Sequence, residues 1–137
     1  MKLEQATKSY HQDHSIVYSC QYHIIFCPKY RRPVLTEAVA QRMKELLLEK
    51  QEEYGYQVLE MEILPEHVHL LLDVDPRMGA YRVTSKIKGC TSRVLRQEFP
   101  WLKKRLPTLW TRGKLISSVG AVTLEVVQKY IQAQKGV

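Results

Sequence analysis

Met61–Leu72 reads MEILPEHVHLLL, two apolar runs separated by a Leu-Pro-Glu turn, and the second run continues to Val74. Strands turn successive side chains to opposite faces, so His67–Val74 puts His67, His69 and Leu71 on one face and Val68, Leu70, Leu72 and Val74 on the other. Val58–Ile63 has the same strand character, and Leu64, Pro65 and Glu66 make a turn too short for anything but a hairpin.

Outward from this hairpin the punctuation is regular. Upstream, Gly55 can stop a helix capped by Thr36, whose Val39, Met43, Leu46, Leu47 and Tyr54 keep three-and-four spacing. Before it, Ile16–Phe26 reads as a strand with Cys20, Tyr22, Ile24 and Phe26 on one buried face, closed by Pro28. Downstream, Asp75 and Pro76 lead into a helix reaching about Phe99 and ended by Pro100, with Val83, Ile87, Val94 and Leu95 inward. Leu109–Val119 reads as a fourth strand and Gly120 interrupts it. Thr123 then opens a last helix through Gln134, which Gly136 can end. The order is βαββαβ plus one helix: an α+β chain with a ferredoxin-like or RRM-like antiparallel sheet and an added C-terminal helix. A single domain over residues 1–137 is expected, with residues 1–14 a loose arm.

The chain has 137 residues, 45% of them hydrophobic, enough to bury one core. No apolar run reaches the roughly 20 residues that span a bilayer, and no secretory leader is evident, so a cytoplasmic protein without membrane contact is expected. Three cysteines, Cys20, Cys27 and Cys90, form no Cys-x-x-Cys pair and read as buried small hydrophobes. The formal charge of +7 favours a polyanionic partner, since Lys and Arg gain by releasing counterions from nucleic acid.

Three groups of residues carry candidate chemistry. His67 and His69 project from one strand face, so both imidazoles can converge on one ion; two solvent-facing histidines would read the same. On the last helix Tyr130 and Gln134 stand four residues apart, where a phenol and a hard amide oxygen share a face; a packing tyrosine beside a polar stripe is the plainer alternative. Basic and aromatic residues mix at Lys29, Tyr30, Arg31 and Arg32 and again at Trp110, Arg112 and Lys114, the combination that tracks phosphates and stacks on unpaired bases. Arg82, Lys86, Arg93 and Arg96 would add a basic stripe on the outer side of the second helix.

Taken together these residues resemble the insertion-sequence transposases of the single-tyrosine HUH class, the TnpA type. The resemblance runs through Tyr22–Arg32 (YHIIFCPKYRR), Met61–Leu72, Lys86–Arg93 (KIKGCTSR), LWTRG and the closing YIQAQ. It implies that Tyr130 is the nucleophile, that His67, His69 and Gln134 hold Mg²⁺ or Mn²⁺, and that the partner is single-stranded DNA carrying subterminal hairpins. It also implies a 5′-phosphotyrosine intermediate and a homodimer. In that dimer residues 121–137 form a mobile helix, hinged near Gly120, that can reach the partner subunit's histidines. The N-terminal arm and Lys114–Ile116 match the pattern less well. Two other classes fit the residues alone: a non-catalytic RRM-like binding module, against which the missing RNP1-like aromatic run weighs, and a water-using metal phosphodiesterase in which Tyr130 is dispensable.

Overall fold

The computed structural model describes residues 10–12 and 15–137. The expected arm of residues 1–14 therefore lies mostly outside the described residues. Where it is described it is paired, because β1 (His11–Gln12) runs antiparallel to β2 (Val17–Tyr18).

The expected first strand is shorter than its apolar run. After β2 the chain re-enters as β3 (Gln21–Phe26), and Pro28, lacking an N–H for the ladder, closes it as the sequence suggested. A 3₁₀ turn at Lys29–Arg31 follows, and in it both Tyr30 and Arg31 take left-handed backbone angles, φ 59° and 52°. Such angles cost non-glycine residues on the order of 1 kcal/mol each and need surrounding contacts to persist.

Helix α1 (Glu37–Glu49) is capped by Thr36, whose side-chain oxygen accepts from the Val39 amide. A break at Lys50 separates it from the short α2 (Gln51–Tyr54), which Gly55 in the left-handed region at φ 78° ends. Strands β4 (Tyr56–Leu64) and β5 (His67–Val74) form the expected hairpin, in register from Tyr56 opposite Val74 to Leu64 opposite His67, with an irregularity between Val58 and Glu60. Helix α3 (Ala80–Glu98) follows, then α4 (Trp101–Arg105) just after Pro100, a helix that the sequence did not announce.

The fourth strand is a correction. Residues Leu115–Ser118 alone make β6, and of Leu109–Lys114 only Trp110 pairs, by a single bridge to Pro28. Leu109, Trp110 and Thr111 are all buried in succession, which a strand with one wet face cannot do. Helix α5 (Leu124–Ala133) is capped by Thr123 through the Val126 amide, and Gln134 is its C-terminal cap residue.

The large sheet has the order β4-β5-β3-β6 and every pairing in it is antiparallel, the ferredoxin-like arrangement. Directly opposed residues share a face, so Tyr22, Ile24, Phe26, Val68, Leu70 and Leu72 all point to one side. There they meet Val39, Met43 and Leu47 of α1 and Val83, Ile87 and Leu95 of α3 in one core. Arg42 clamps the two helices from outside, its guanidinium donating to both carboxylate oxygens of Glu98 at 2.8 and 3.1 Å. The other side carries His23, Ile25, His69 and Leu71, and α5 lies over it through a small second cluster of Ile25, Val122 and Val127.

Candidate active site

Strand β5 places the histidines as alternation requires. His69 is buried, His67 is mostly so, and Val68 between them is in the core. Burial disfavours the imidazolium, taking His69 down to about 4, with His23 a further cause, and lowering His67 as well. Both rings are therefore neutral at neutral pH and keep lone pairs for a ligand. Nδ1 of His67 faces Glu66 Oε1 at 3.5 Å and has no hydrogen-bond partner.

Alternation on β5 alone could not reveal the third histidine of this face. His23, fully buried on β3, brings Nδ1 to 3.1 Å from Nε2 of His69, so one of the two rings donates to the other and the pair sets each other's tautomer. Its parity with Ile25 was the available signal. Glu62 is the second such residue: β4 sets it directly opposite His69, and its charge acts on both imidazoles.

Tyr130 is packed against the cluster of Ile25, Val122 and Val127. Because Ile25 is the direct cross-strand neighbour of His69, the tyrosine helix covers the sheet face that bears the histidines. The hydroxyl of Tyr130 is buried without a hydrogen-bond partner, and burial, with Cys27 a lesser cause, raises its pKa. Gln134 turns its amide nitrogen to the Tyr130 carbonyl at 3.3 Å, leaving Oε1 directed toward the Gly113 backbone, where the phenol also lies.

Among the described residues no three His, Cys, Asp or Glu side chains converge on a metal position. A divalent ion would thus need a ligand of another kind, and the amide oxygen of Gln134 is of the right hardness for Mg²⁺ or Mn²⁺. Two neutral imidazoles, an orphaned ring nitrogen on His67 and an orphaned phenol are the chemistry such an ion satisfies.

The basic residues divide among three places. Tyr30, Arg31 and Arg32 border a cleft of about 480 Å³ shared with Lys135 and Gly136. Arg31 also donates to the Ile131 carbonyl of α5 at 3.3 Å and stands 3.7 Å from Glu66, so it links the tyrosine helix to the turn before His67. Lys29 and Arg112 line a second cleft of about 440 Å³ over α3. Arg82 and Arg93 are exposed on α3; Lys86 sits over the Tyr54 ring of α2 at 5.5 Å, and Arg93 acts on the same phenol, within the helical layer and across the sheet from the histidines. Arg96 is part-buried and donates to the Pro107 carbonyl at 3.3 Å. The stripe is thus not continuous with the histidine face.

Trp110 corrects the reading of its neighbourhood as a stacking surface. Only 6% of it is exposed; it meets Phe26 edge-to-face at 4.8 Å and its indole N–H donates to Thr91 at 3.0 Å. It is a core residue. Lys114, four residues on, lies over the exposed Tyr81 ring at 4.4 Å. Of the cysteines, Cys27 and Cys90 are buried as expected and Cys20 is partly accessible.

Comparison with known proteins gives the family of the chain. Residues 16–134 match the model of a family described as "Transposase IS200 like". The ISDra2 transposase TnpA of Deinococcus radiodurans is 37% identical over 120 residues, covering 86% of each chain. The transposase of insertion sequence element IS200 from Salmonella typhimurium is 33% identical over 119 residues, 85% of this chain and 78% of that one. Among solved structures, a candidate transposase of Deinococcus radiodurans R1 superposes with a TM-score of 0.83 at 30% identity, over 93% of this chain and 99% of the other. A REP-associated tyrosine transposase bound to a REP hairpin shares the fold, with a TM-score of 0.57 at 12% identity over 90% of this chain and 68% of that one.

Proposed function

We infer the chemistry from one premise: the chain belongs to the IS200-like transposase family and is an insertion-sequence transposase, an enzyme of DNA transposition. Its finer mechanism, we propose, is cleavage and rejoining of single-stranded DNA near hairpins at the element ends, with Tyr130 as nucleophile. The phenol oxygen attacks the scissile phosphorus in line, the bond from phosphorus to the 3′ oxygen breaks, and the departing oxygen takes up a proton as the phenol loses one. The products are a 5′-phosphotyrosine and a free 3′ hydroxyl. The phosphodiester is exchanged and not hydrolysed, so a hydroxyl from another strand reverses the step and joins new ends without ATP.

The single observation that supports this most is the orphaned hydroxyl of Tyr130 on a helix docked over the histidine face. A buried hydroxyl without a partner costs about 1–3 kcal/mol, and a group kept at that cost suits a reacting atom better than a structural one. Burial raises the phenol's pKa, so positive charge must be held near the phenol and the phosphate for the phenolate to form. His67, His69 and Gln134 would hold Mg²⁺ or Mn²⁺, and when bound this ion supplies Lewis-acid charge to the phosphate. His23 orients His69 through their ring hydrogen bond, burial keeps both imidazoles neutral against the pull of Glu62, and Arg31 braces α5 against the turn that leads into His67.

We further propose a homodimer in which α5 can serve the partner's histidines. Gly120, at φ 95°, precedes a helix in which Val127 is the one buried residue, while Leu124 and Val126 on it are 58% and 47% exposed. That is a weakly held element on a flexible joint.

Single-stranded DNA carrying a hairpin, mixed with the protein and Mg²⁺ or Mn²⁺ and run on a denaturing gel, tests the central reading. A downstream fragment linked to the protein through its 5′ phosphate is expected, and it disappears in Tyr130→Phe. Cleavage that survives unchanged in that variant would instead assign the water-using phosphodiesterase.

A further inference from the structure

We propose that Lys88 and Gly113 together form the seat that sets the phenol of Tyr130 and the amide of Gln134, Lys88 as a positioning residue and Gly113 as the space that admits them. The proposal rests on the reading of Tyr130 as nucleophile, and it names residues that neither histidine spacing nor the tyrosine motif would select.

Lys88 stands on α3, where an exposed lysine would be unremarked. Its ammonium instead leaves the helix layer, passes 5.7 Å from the Phe26 ring centroid and donates to three successive carbonyls, Thr111 at 2.7 Å, Arg112 at 3.3 Å and Gly113 at 3.1 Å. An ammonium has three protons, and this loop consumes all of them. Of residues 111–113 none lies in β6, whose first residue is Leu115, so their carbonyls have no ladder to hold them. From the other side the Thr111 amide donates to the Cys27 carbonyl at 3.0 Å. One cation therefore replaces the missing strand pairing. Burial, with Lys114 nearby, brings Lys88 down to about 8, so it stays charged at neutral pH.

The pinned loop ends in Gly113, which is not among the glycines with positive φ, so its backbone would accept other residues. Space is what it provides. A Cβ built there would stand 3.2 Å from the Tyr130 hydroxyl and 3.5 Å from Gln134 Oε1. The first distance is too close for a rigid ring to ignore, so an added methyl displaces the phenol by a few tenths of an ångström. Lys88 thus fixes the wall, and the absent side chain fixes how near the two functional groups come to it. Displacements of about 1 Å near reacting atoms cost on the order of a hundredfold in rate, which gives such a seat its leverage.

The test uses the full-length protein labelled with ¹³Cζ-tyrosine, in which the Tyr130 resonance is assigned by its loss in Tyr130→Phe. It compares Gly113→Ala, Gly113→Val and Lys88→Met, first without DNA or metal and then in single-turnover adduct formation at saturating hairpin DNA. We expect the Tyr130 resonance to shift in all three, more for Val than for Ala, while that of the exposed Tyr81 stays in place. Adduct formation in Lys88→Met should fall by about tenfold or more with DNA affinity changed by less than about threefold, a pattern that general loosening of the fold would not give. A Tyr130 resonance unmoved by both glycine substitutions, or an adduct rate in Lys88→Met within about twofold of the parent, overturns the proposal. Should Lys88→Met fail to fold, the two glycine variants decide. Should the parent itself form no adduct, the nucleophile reading fails and the resonances alone judge the seat.

Discussion

At the scale of single residues, the contrast between His69 and Trp110 shows how one burial value can carry two meanings. Each is 6% exposed. The tryptophan has a partner for its only polar atom and fills core volume against Phe26, so it contributes packing. Trp110→Ala should cost about 3–5 kcal/mol, read as a lower urea midpoint, and leave the DNA affinity of the folded protein near the parent's. Loss of affinity without loss of stability would return Trp110 to the DNA surface. His69 instead spends its burial on staying neutral, with the imidazolium unfavourable down to about 4. Removing it should abolish metal-dependent adduct formation and leave hairpin binding measurable by anisotropy, whereas His23→Leu, which removes only a ring partner of His69, should weaken the metal response without abolishing it. Equal loss in both variants would make His23 a ligand in its own right.

Among the elements, α3 depends on how the chain enters it. Asp75 accepts from the Arg77 amide at 2.9 Å and from its guanidinium at 3.0 and 2.8 Å, closing the turn between β5 and the helix. The Arg77 hydrogen bond lowers Asp75 below 3.8. A carboxyl lowered by folding adds stability that is complete above its unfolded pKa and vanishes as pH drops through the folded one. Asp75→Asn should therefore be less stable than the parent at pH 7 by on the order of 1 kcal/mol, with the two denaturation midpoints converging as the pH is taken below 3.8. A gap that persists in acid would assign the loss to the turn geometry and not to the charge. Helix α5 stands at the other extreme, since its buried contacts are few and its cap, Thr123, is on the surface. Its amides should exchange with solvent well before those of α1 or β5, a ranking that hydrogen-exchange mass spectrometry reads directly.

On the scale of the whole molecule, the sheet separates two surfaces with different work. One side is closed by α1 and α3 over a continuous apolar core, and it supplies rigidity. The opposite side carries the imidazoles under a lightly held helix; the cleft about Tyr30 and Arg32 lies at the C-terminal end of that helix, while the cleft about Lys29 and Arg112 lies against α3. With a net charge of +7, DNA binding should weaken steeply with salt, the slope of log affinity on log salt reporting the phosphates engaged. The proposed dimer can be tested by mixing Tyr130→Phe with His69→Ala. If α5 serves the partner's histidines, the mixture forms adduct although neither variant does alone, and a mixture as inactive as its components would confine the reaction to one subunit.

Periodicity by itself determined the hairpin, the two long helices, the Thr36 and Thr123 caps and the shared face of His67 and His69, because each of these follows from backbone geometry over a few neighbouring residues. It failed at Leu109–Thr111, where an apolar run imitated a strand: three buried residues in a row are held there by two backbone hydrogen bonds to Lys29 and Cys27 and, at the Thr111 carbonyl, by Lys88, more than 20 positions earlier in the chain. Tertiary structure alone decided that His23 meets His69, that Trp110 is core, and that Gly113 makes room for Tyr130. Each of those contacts joins segments distant in the chain, and no local pattern records a neighbour that only the closing of the sheet brings near.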